Sequence, residues 1–331
     1  MLNQNNEMEM TQMRKIVVYA PKYLKVEREA FEGLLDSAED WQLDIVSKTE
    51  DLEQIIADAE VLVASPCDRE IIKMGQNLKW VQALSVGVDA FPLEELMAQG
   101  AVVTNGKGIH RIHMAEYAIA AMVMLARNVP VFMRRQIEGR WDRKVLQGEI
   151  NGATLGILGL GTIGREVARK AEFMGMRVIG LKNHPTPVPH VEKVVGMDEI
   201  NWLFSESDYI VNLLPGTPDT EHLVDHRLLE QMKPEACLIN MGRGSTVKEA
   251  DLIPALKEGR IRAFWADVFE EEPLPADNPL WQMENVVITP HICGESTKYM
   301  KKAMEIIEHN LKVYQTGEGT MRNVVDPEKG Y

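Results

Sequence analysis

One short run constrains this chain more than any other: Leu155-Gly156-Ile157-Leu158-Gly159-Leu160-Gly161-Thr162-Ile163-Gly164. A buried apolar strand leads directly into Gly-x-Gly-x-x-Gly, and a helical stretch, Arg165 to Phe173, follows. Gly159 permits the tight turn, Gly161 lets a pyrophosphate approach the backbone, and Gly164 allows close helix packing. The helix start, with the amides of Thr162 and Ile163, suits a negative charge. A bare glycine triplet is weak evidence. Strand before and helix after turn it into a dinucleotide-binding signature.

The next strand, Met176 to Leu181, should end with the residue that reads the adenosine ribose. An NAD site usually places Asp or Glu there, about 20 residues past the glycines. This chain has Leu181-Lys182-Asn183-His184 instead. No carboxylate is present, and Lys182 suits a 2′-phosphate, so NADP(H) is favoured over NAD(H). The alternative makes Lys182 an ordinary surface lysine and NAD(H) a loosely held cofactor.

The rest of the chain repeats the same alternation. Apolar strands at Ile16–Tyr19, Leu43–Val46, Val61–Ala64, Trp80–Leu84 and Val102–Val103 are separated by helical stretches at Tyr23–Ala38, Leu52–Ala59 and Leu93–Gln99. After Thr154 a second series follows, with strands at Leu155–Leu158, Arg177–Leu181, Tyr209–Leu213, Cys237–Asn240, Arg262–Ala266 and Val286–Thr289. Such alternation predicts an α/β protein of two Rossmann-like, doubly wound parallel-sheet domains. The length of 331 residues agrees with two domains of about 150 residues. Between the two series lie a strongly apolar helix, Met114 to Arg127, and a basic, mobile-looking stretch, Met133 to Lys144, that contains Trp141. A last helix, Ser296 to Tyr314, is expected to return to the first series. The predicted division is a disordered leader at 1–13, a flavodoxin-like substrate domain at 14–105 plus 295–331, and a dinucleotide-binding domain at 106–294. Hinges are expected near Asn105 and Gly294.

Composition excludes several classes. The balance of 36 Lys and Arg against 50 Asp and Glu gives −14, which argues against a nucleic-acid partner. With 45% apolar residues the chain supports a large core. No apolar run of about 18 residues exists, so no spanning helix and no membrane partner are expected. The three cysteines, Cys67, Cys237 and Cys293, build no disulfide frame and suit a reducing cytoplasm. The first residues lack the basic and apolar regions of a signal peptide.

Three further patches fall at strand ends, where open parallel sheets bind ligands. They are Asn240-Met241-Gly242-Arg243-Gly244, Asp267 to Pro275 (DVFEEEPLP), and Thr289-Pro290-His291-Ile292-Cys293-Gly294. The planar donors of Arg243 suit a carboxylate.

Taken together, LSVGVD, AEYAIA, LGILGLGTIG, LLPGTPDT, LINMGRGSTV, WADVFEEEPLP and ITPHICG, from about Val81 to His309, resemble the D-isomer-specific 2-hydroxyacid dehydrogenase family. That family includes glyoxylate/hydroxypyruvate reductases and D-3-phosphoglycerate dehydrogenases. The resemblance implies an active site in the cleft between the domains and reversible reduction of a small 2-keto acid to the D-2-hydroxy acid. It gives catalytic roles to Arg243, Glu272 and His291. Arg243 would hold the substrate carboxylate and keto oxygen, His291 would be the acid/base, and Glu272 would pair with it. The amides of Val86 and Gly87 would complete the carboxylate site, and Trp141, from a partner subunit, would shape it. Cofactor contacts would come from Gly159, Gly161, Thr162, Ile163, Gly164, Lys182, Leu214, Pro215, Thr220, Met241, Asp267, His291 and Gly294. A homodimer through the apolar helix and the Trp141 arm is expected. Substrate choice is assigned to the loops at Ser65–Arg69 and Ser85–Asp89.

Competing readings are specific. The chain ends soon after its last helix, which speaks against a regulated phosphoglycerate dehydrogenase, the first alternative. A non-catalytic, dinucleotide-sensing corepressor-like protein is the second. Formate dehydrogenases carry Gln where Glu272 stands. Asp267 could fix a loop rather than meet the nicotinamide. Cys293 follows His291 by two residues, but a Cys–His nucleophile is set aside. His222 and His226 have the i, i+4 spacing of zinc ligands but lack the rest of such a motif, so no metal site is expected. His110 and His113 are offered as substrate contacts.

Overall fold

The computed structural model describes residues 13–326 apart from 21–25, 27, 36–39, 66, 67, 89 and 90. The leader expected at 1–13 therefore lies, except for Met13, outside the described residues, as do parts of the expected first helix and of both substrate loops. In chain order the elements are β1 (Arg14–Tyr19), α1 (Arg28–Leu35), β2 (Trp41–Val46), α2 (Thr49–Ile55), β3 (Val61–Ala64), α3 (Arg69–Met74), β4 (Trp80–Ala83), α4 (Leu93–Ala98) and β5 (Val102–Thr104). Next come α5 (Arg111–Ala126), α6 (Val129–Ile137), β6 (Thr154–Leu158), α7 (Thr162–Phe173), β7 (Arg177–Leu181), β8 (Lys193–Val195), α8 (Ile200–Glu206) and β9 (Tyr209–Asn212). The series closes with α9 (His226–Leu229), β10 (Cys237–Asn240), α10 (Glu249–Lys257), β11 (Ala263–Ala266), β12 (Val286–Ile288) and α11 (Tyr299–Thr316). They form two compact units, 1–109 with 297–331, and 110–296.

The first unit is a parallel sheet ordered β2-β1-β3-β4-β5, the flavodoxin-like order. Successive side chains of a strand point to opposite faces, so each apolar strand feeds two cores. Val17, Leu62 and Val81 meet Leu52, Ile72 and Leu96 of α2, α3 and α4 on one face. Ile16, Val18, Val63 and Trp80 meet Phe31 of α1 and Ile307 and Leu311 of α11 on the other. The last helix thus packs on the first sheet.

The second unit is a seven-stranded parallel sheet ordered β12-β11-β10-β9-β6-β7-β8. Counted from β6, this is the order of a dinucleotide-binding sheet with one extra edge strand. Leu155, Ile157, Val211 and Ile239 face Ala118, Met122 and Ala168 of α5 and α7. Leu158, Ile210, Leu238 and Phe264 face Leu203, Leu228 and Leu252 of α8, α9 and α10. All strand C-terminal ends of this sheet share one edge, and Gly159, Leu214, Arg243, Asp267 and His291 follow those ends in the chain.

Two expectations need correction. The basic stretch from Met133 begins as the last turns of α6, because Arg134 donates to the main-chain carbonyls of Met283 (3.0 Å), Val286 (3.3 Å) and Glu284. The apolar helix α5 finds its cover inside its own unit, with Ala115, Ala118, Ala121 and Met122 inaccessible. Large apolar side chains left uncovered nearby include Ile137, Trp141 and Leu146, each close to 90% exposed (88%, 91% and 89%). Among the described residues no single helix is long and apolar enough to cross a membrane.

Candidate active site

The glycine turn carries three distinct constraints. Gly159 has φ +100°, a conformation that favours glycine. A Cβ on Gly164 would overlap the Gly159 carbonyl, so helix and strand are as close as two backbones can pack. A Cβ on Gly161 would meet nothing. The first helical bond of α7 runs from Arg165 N–H to Gly161 O (3.0 Å), which leaves the amides of Thr162 and Ile163 without intrahelical acceptors. A cradle tight at 164, open at 161 and lined by helix-start amides fits a dinucleotide pyrophosphate. Just past β7, Lys182 Nζ donates to Thr186 Oγ1 at 2.8 Å.

The neighbouring strand ends are tied by buried side chains. Asn212 Nδ2 donates to Asn240 Oδ1 (3.0 Å) and Thr246 Oγ1 (2.6 Å), and Asn212 Oδ1 accepts the Leu214 N–H (3.1 Å). Thr246 in turn donates to the Arg243 carbonyl (2.6 Å). These bonds fix Leu214 and Arg243 on adjacent loops. Thr220 Oγ1 closes the first loop on the Pro215 carbonyl (2.6 Å). A Cβ on Gly244 would overlap the Phe269 carbonyl, so the arginine loop lies directly against the acidic one. The Arg243 guanidinium is exposed and touches its own loop at Gly242 O (3.0 Å). Met241 is buried in the core.

His291 Nδ1 lies 2.7 Å from Glu272 Oε2, and Glu272 Oε1 accepts the Phe269 N–H at 3.0 Å. A carboxylate only accepts here, so Nδ1 carries a proton and Nε2 is the nitrogen left for exchange. The side chains of His291 and Glu272 are partly exposed. The backbone of His291 is left-handed, φ 52°. A non-glycine residue holds that conformation only when its surroundings over-determine it.

Asp267 supplies the restraint. It is fully buried, with Oδ1 accepting from Thr289 Oγ1 (2.5 Å) and Ile292 N–H (3.0 Å), and Oδ2 accepting from Cys293 N–H (2.9 Å). Its own carbonyl takes the His291 N–H (2.8 Å). Because the single Thr289 proton goes to Asp267, the Tyr117 hydroxyl donates to Thr289, and Trp265 Nε1 donates to Tyr117 (2.9 Å). These contacts give Asp267 a loop-fixing role. Sequence reasoning missed Thr289, Tyr117 and Trp265. The available signal was Thr289 two residues before His291 on the same loop.

Cys293 and His291 do not share a strand face, since β12 ends at Ile288. Burial first, and Asp267 second, push the Cys293 thiol up, which makes it inert as a nucleophile. His222 pairs with Glu270 (2.7 Å) and His226 with Asp251 (3.5 Å), so the two are not joint ligands. Among the described residues no group of three His, Cys, Asp or Glu side chains is arranged for a metal. His110 and His113 both place a ring nitrogen on the Gly294 carbonyl (2.9 and 2.8 Å). Val86 and Gly87 belong to the first unit, where Asn105 Nδ2 donates to the Val86 carbonyl (3.0 Å).

Comparison with known proteins places these features in context. Residues 119–293 match the family model described as D-isomer specific 2-hydroxyacid dehydrogenase, NAD binding domain. The glycine turn is accordingly part of a nicotinamide-dinucleotide site. The chain is 38% identical over 282 residues to a D-3-phosphoglycerate dehydrogenase of Methanocaldococcus jannaschii, covering 84% of this chain and 53% of that protein. It therefore spans about half the length of that relative. It is 33% identical over 281 residues to a glyoxylate reductase of Korarchaeum cryptofilum, covering 83% of each. Among solved structures it resembles a D-isomer specific 2-hydroxyacid dehydrogenase of Xanthobacter autotrophicus in complex with NADPH and MES. The TM-score is 0.79 at 29% identity, covering 96% of this chain and 100% of that one. On the model match, the relatives and the shared architecture, the chain belongs to the D-isomer specific 2-hydroxyacid dehydrogenase family of oxidoreductases.

Proposed function

We propose that this protein reduces a short 2-keto acid, of the glyoxylate or hydroxypyruvate type, reversibly to the D-2-hydroxy acid, with NADPH as the favoured cofactor. The observation that carries the reading is the 2.7 Å contact between His291 Nδ1 and Glu272 Oε2. It orients the ring and reserves Nε2 for proton exchange. A nicotinamide held at the glycine turn would supply or accept the hydride. As the keto oxygen gains charge, His291 Nε2 hands it a proton, and in the reverse direction Nε2 takes the hydroxyl proton. The Arg243 guanidinium, always charged, stabilises the developing oxyanion and holds the carboxylate. Val86 and Gly87 offer their amides to the substrate carboxylate. Asp267 acts through the loop, keeping His291 in its left-handed backbone.

NADPH is favoured because Lys182 stands at the end of β7 where an NAD site would carry an acid, and a 29%-identical relative was solved with NADPH. A homodimer is proposed through the segment that leaves Ile137, Trp141 and Leu146 uncovered. A cytoplasmic location accords with the cysteine usage. The phosphoglycerate dehydrogenase reading has its own support in the 38% identity to such a protein. A panel of 2-keto acids and 3-phosphohydroxypyruvate, each with NADPH and with NADH, separates these readings. We expect turnover of glyoxylate or hydroxypyruvate with an NADPH preference that Lys182→Glu reverses or reduces by roughly tenfold, the value of one lost charge-assisted contact. Activity with NADH alone would overturn the cofactor assignment. Activity with the phosphorylated substrate alone would overturn the substrate class.

A further inference from the structure

A buried polar network in the first unit has no part in the chemistry above. Trp80 Nε1 donates to Thr104 Oγ1 (2.9 Å), Thr104 donates to Gln82 Oε1 (2.8 Å), and Asn310 of α11 donates to the same oxygen (3.1 Å). All four residues are buried. Buried polar groups cost stability unless they are paired, and paired they fix geometry. What Asn310 fixes is the main chain that follows α11. Its Nδ2 donates to Arg322 O (3.1 Å) and its Oδ1 accepts the Arg322 N–H (2.7 Å).

The next residue, Asn323, is left-handed, φ 58°. Its Nδ2 donates to the carbonyls of Asn105 (3.1 Å) and Lys107 (2.9 Å), and its own carbonyl accepts the Asn105 N–H (3.1 Å). Asn105, locked in this way, donates from Nδ2 to the Val86 carbonyl (3.0 Å). Beside it, the Gly106 N–H holds the Ser85 carbonyl (2.8 Å). In a trans peptide the C=O and the following N–H point in opposite directions. Pinning the carbonyls of Ser85 and Val86 toward residues 105 and 106 therefore turns the N–H groups of Val86 and Gly87 away from them. Among the described residues neither N–H meets a main-chain acceptor.

We propose that Asn323, anchored by Asn310 and acting through Asn105, is a positioning residue that aims the Val86 and Gly87 amides at the substrate carboxylate. The proposal rests on the reading of that loop as a carboxylate site. It assigns a role in substrate affinity to a segment beyond the last helix, remote in sequence from every catalytic residue.

The test compares Asn323→Gly with Val325→Ala in the full-length protein. Glycine keeps the left-handed backbone and removes only the carboxamide. Val325 is buried, and its N–H bonds to the Val103 carbonyl (2.9 Å), so truncating it loosens the same segment through packing alone. Thermal melting, NADPH affinity, kcat and KM for the best 2-keto acid, and inhibition by oxamate are measured for each. For Asn323→Gly we expect KM and the oxamate inhibition constant to rise together by roughly tenfold, with kcat within about twofold and NADPH affinity unchanged. Val325→Ala should lower the melting temperature and leave KM in place. Unchanged KM and oxamate inhibition in Asn323→Gly, or an equal rise in Val325→Ala, would overturn the proposal while leaving the carboxylate site standing. A wild-type protein that neither reduces a 2-keto acid nor binds oxamate would remove the carboxylate site, and the proposal with it.

Discussion

At the scale of single residues, the glycines of the turn answer two separate demands. Gly164 is required by packing, because any Cβ there runs into the Gly159 carbonyl, whereas a Cβ on Gly161 meets only open space. Gly164→Ala should therefore destabilise the second unit by about 1–3 kcal/mol, the range for overpacking a tight site. Gly161→Ala should fold normally and lose cofactor affinity. Chemical denaturation and cofactor titration of both variants check this, and equal loss of stability in the two would contradict it. The motif made all three glycines visible in the sequence. It also assigned Gly161 to the ligand and Gly164 to packing, and the paired strand and helix show how tight that packing is. Asp267 was less legible. Its position at a strand end marked it as functional, but its task depends on Thr289, Ile292 and Cys293, whose donors converge only after β11 and β12 pair.

At the scale of elements, the alternation of apolar strands and amphipathic helices was readable because parallel strands buried on both faces appear as continuous apolar runs. Short elements without such runs were not. β8 has only three residues and α3 six, and α10 carries Pro254 inside it. The docking of α11 on the first sheet rests partly on an ion pair that no local pattern reveals. Arg14 bonds Glu60 at 2.7 Å and lies over the Trp41 ring at 4.1 Å, while Tyr314 of α11 donates to the same carboxylate at 2.7 Å. Burial raises the Glu60 carboxyl, but the hydrogen bonds from Arg14 and Tyr314 outweigh it and hold the group below its ordinary value. A carboxyl depressed in the fold binds its proton more weakly than in the unfolded chain. Its contribution is complete above the unfolded value of about 4.3 and is lost as pH falls through the lower folded value. Glu60→Gln should therefore be less stable than wild type at neutral pH, and the gap should close in acid below that window. Urea unfolding at several pH values measures the gap, and a gap independent of pH would contradict this account.

At the scale of the whole molecule, two sheets of different strand order arise from one alternating pattern. The sequence placed the change of unit close to residue 105, and contacts within the fold divide the chain at 109 and 296. The apolar helix α5 looked like an interface because a single sequence does not reveal what covers it, and α7 does so here. Large apolar side chains left uncovered in the same unit include Ile137, Trp141, Leu146 and Phe173, the first three on one segment. If that segment joins two copies, Trp141→Glu should convert a dimer into a monomer in sedimentation. A wild-type monomer at working concentration would contradict the proposed assembly.

His291, oriented by Glu272, is proposed to transfer the proton that accompanies hydride transfer to a 2-keto acid. The most direct measurement is kcat for His291→Ala with saturating keto acid and NADPH, together with NADPH affinity in the same preparation. In this variant kcat should fall by about 10²–10⁴-fold, the contribution of a general acid, with NADPH bound as in the wild type. Turnover near the wild-type rate with NADPH bound would contradict it.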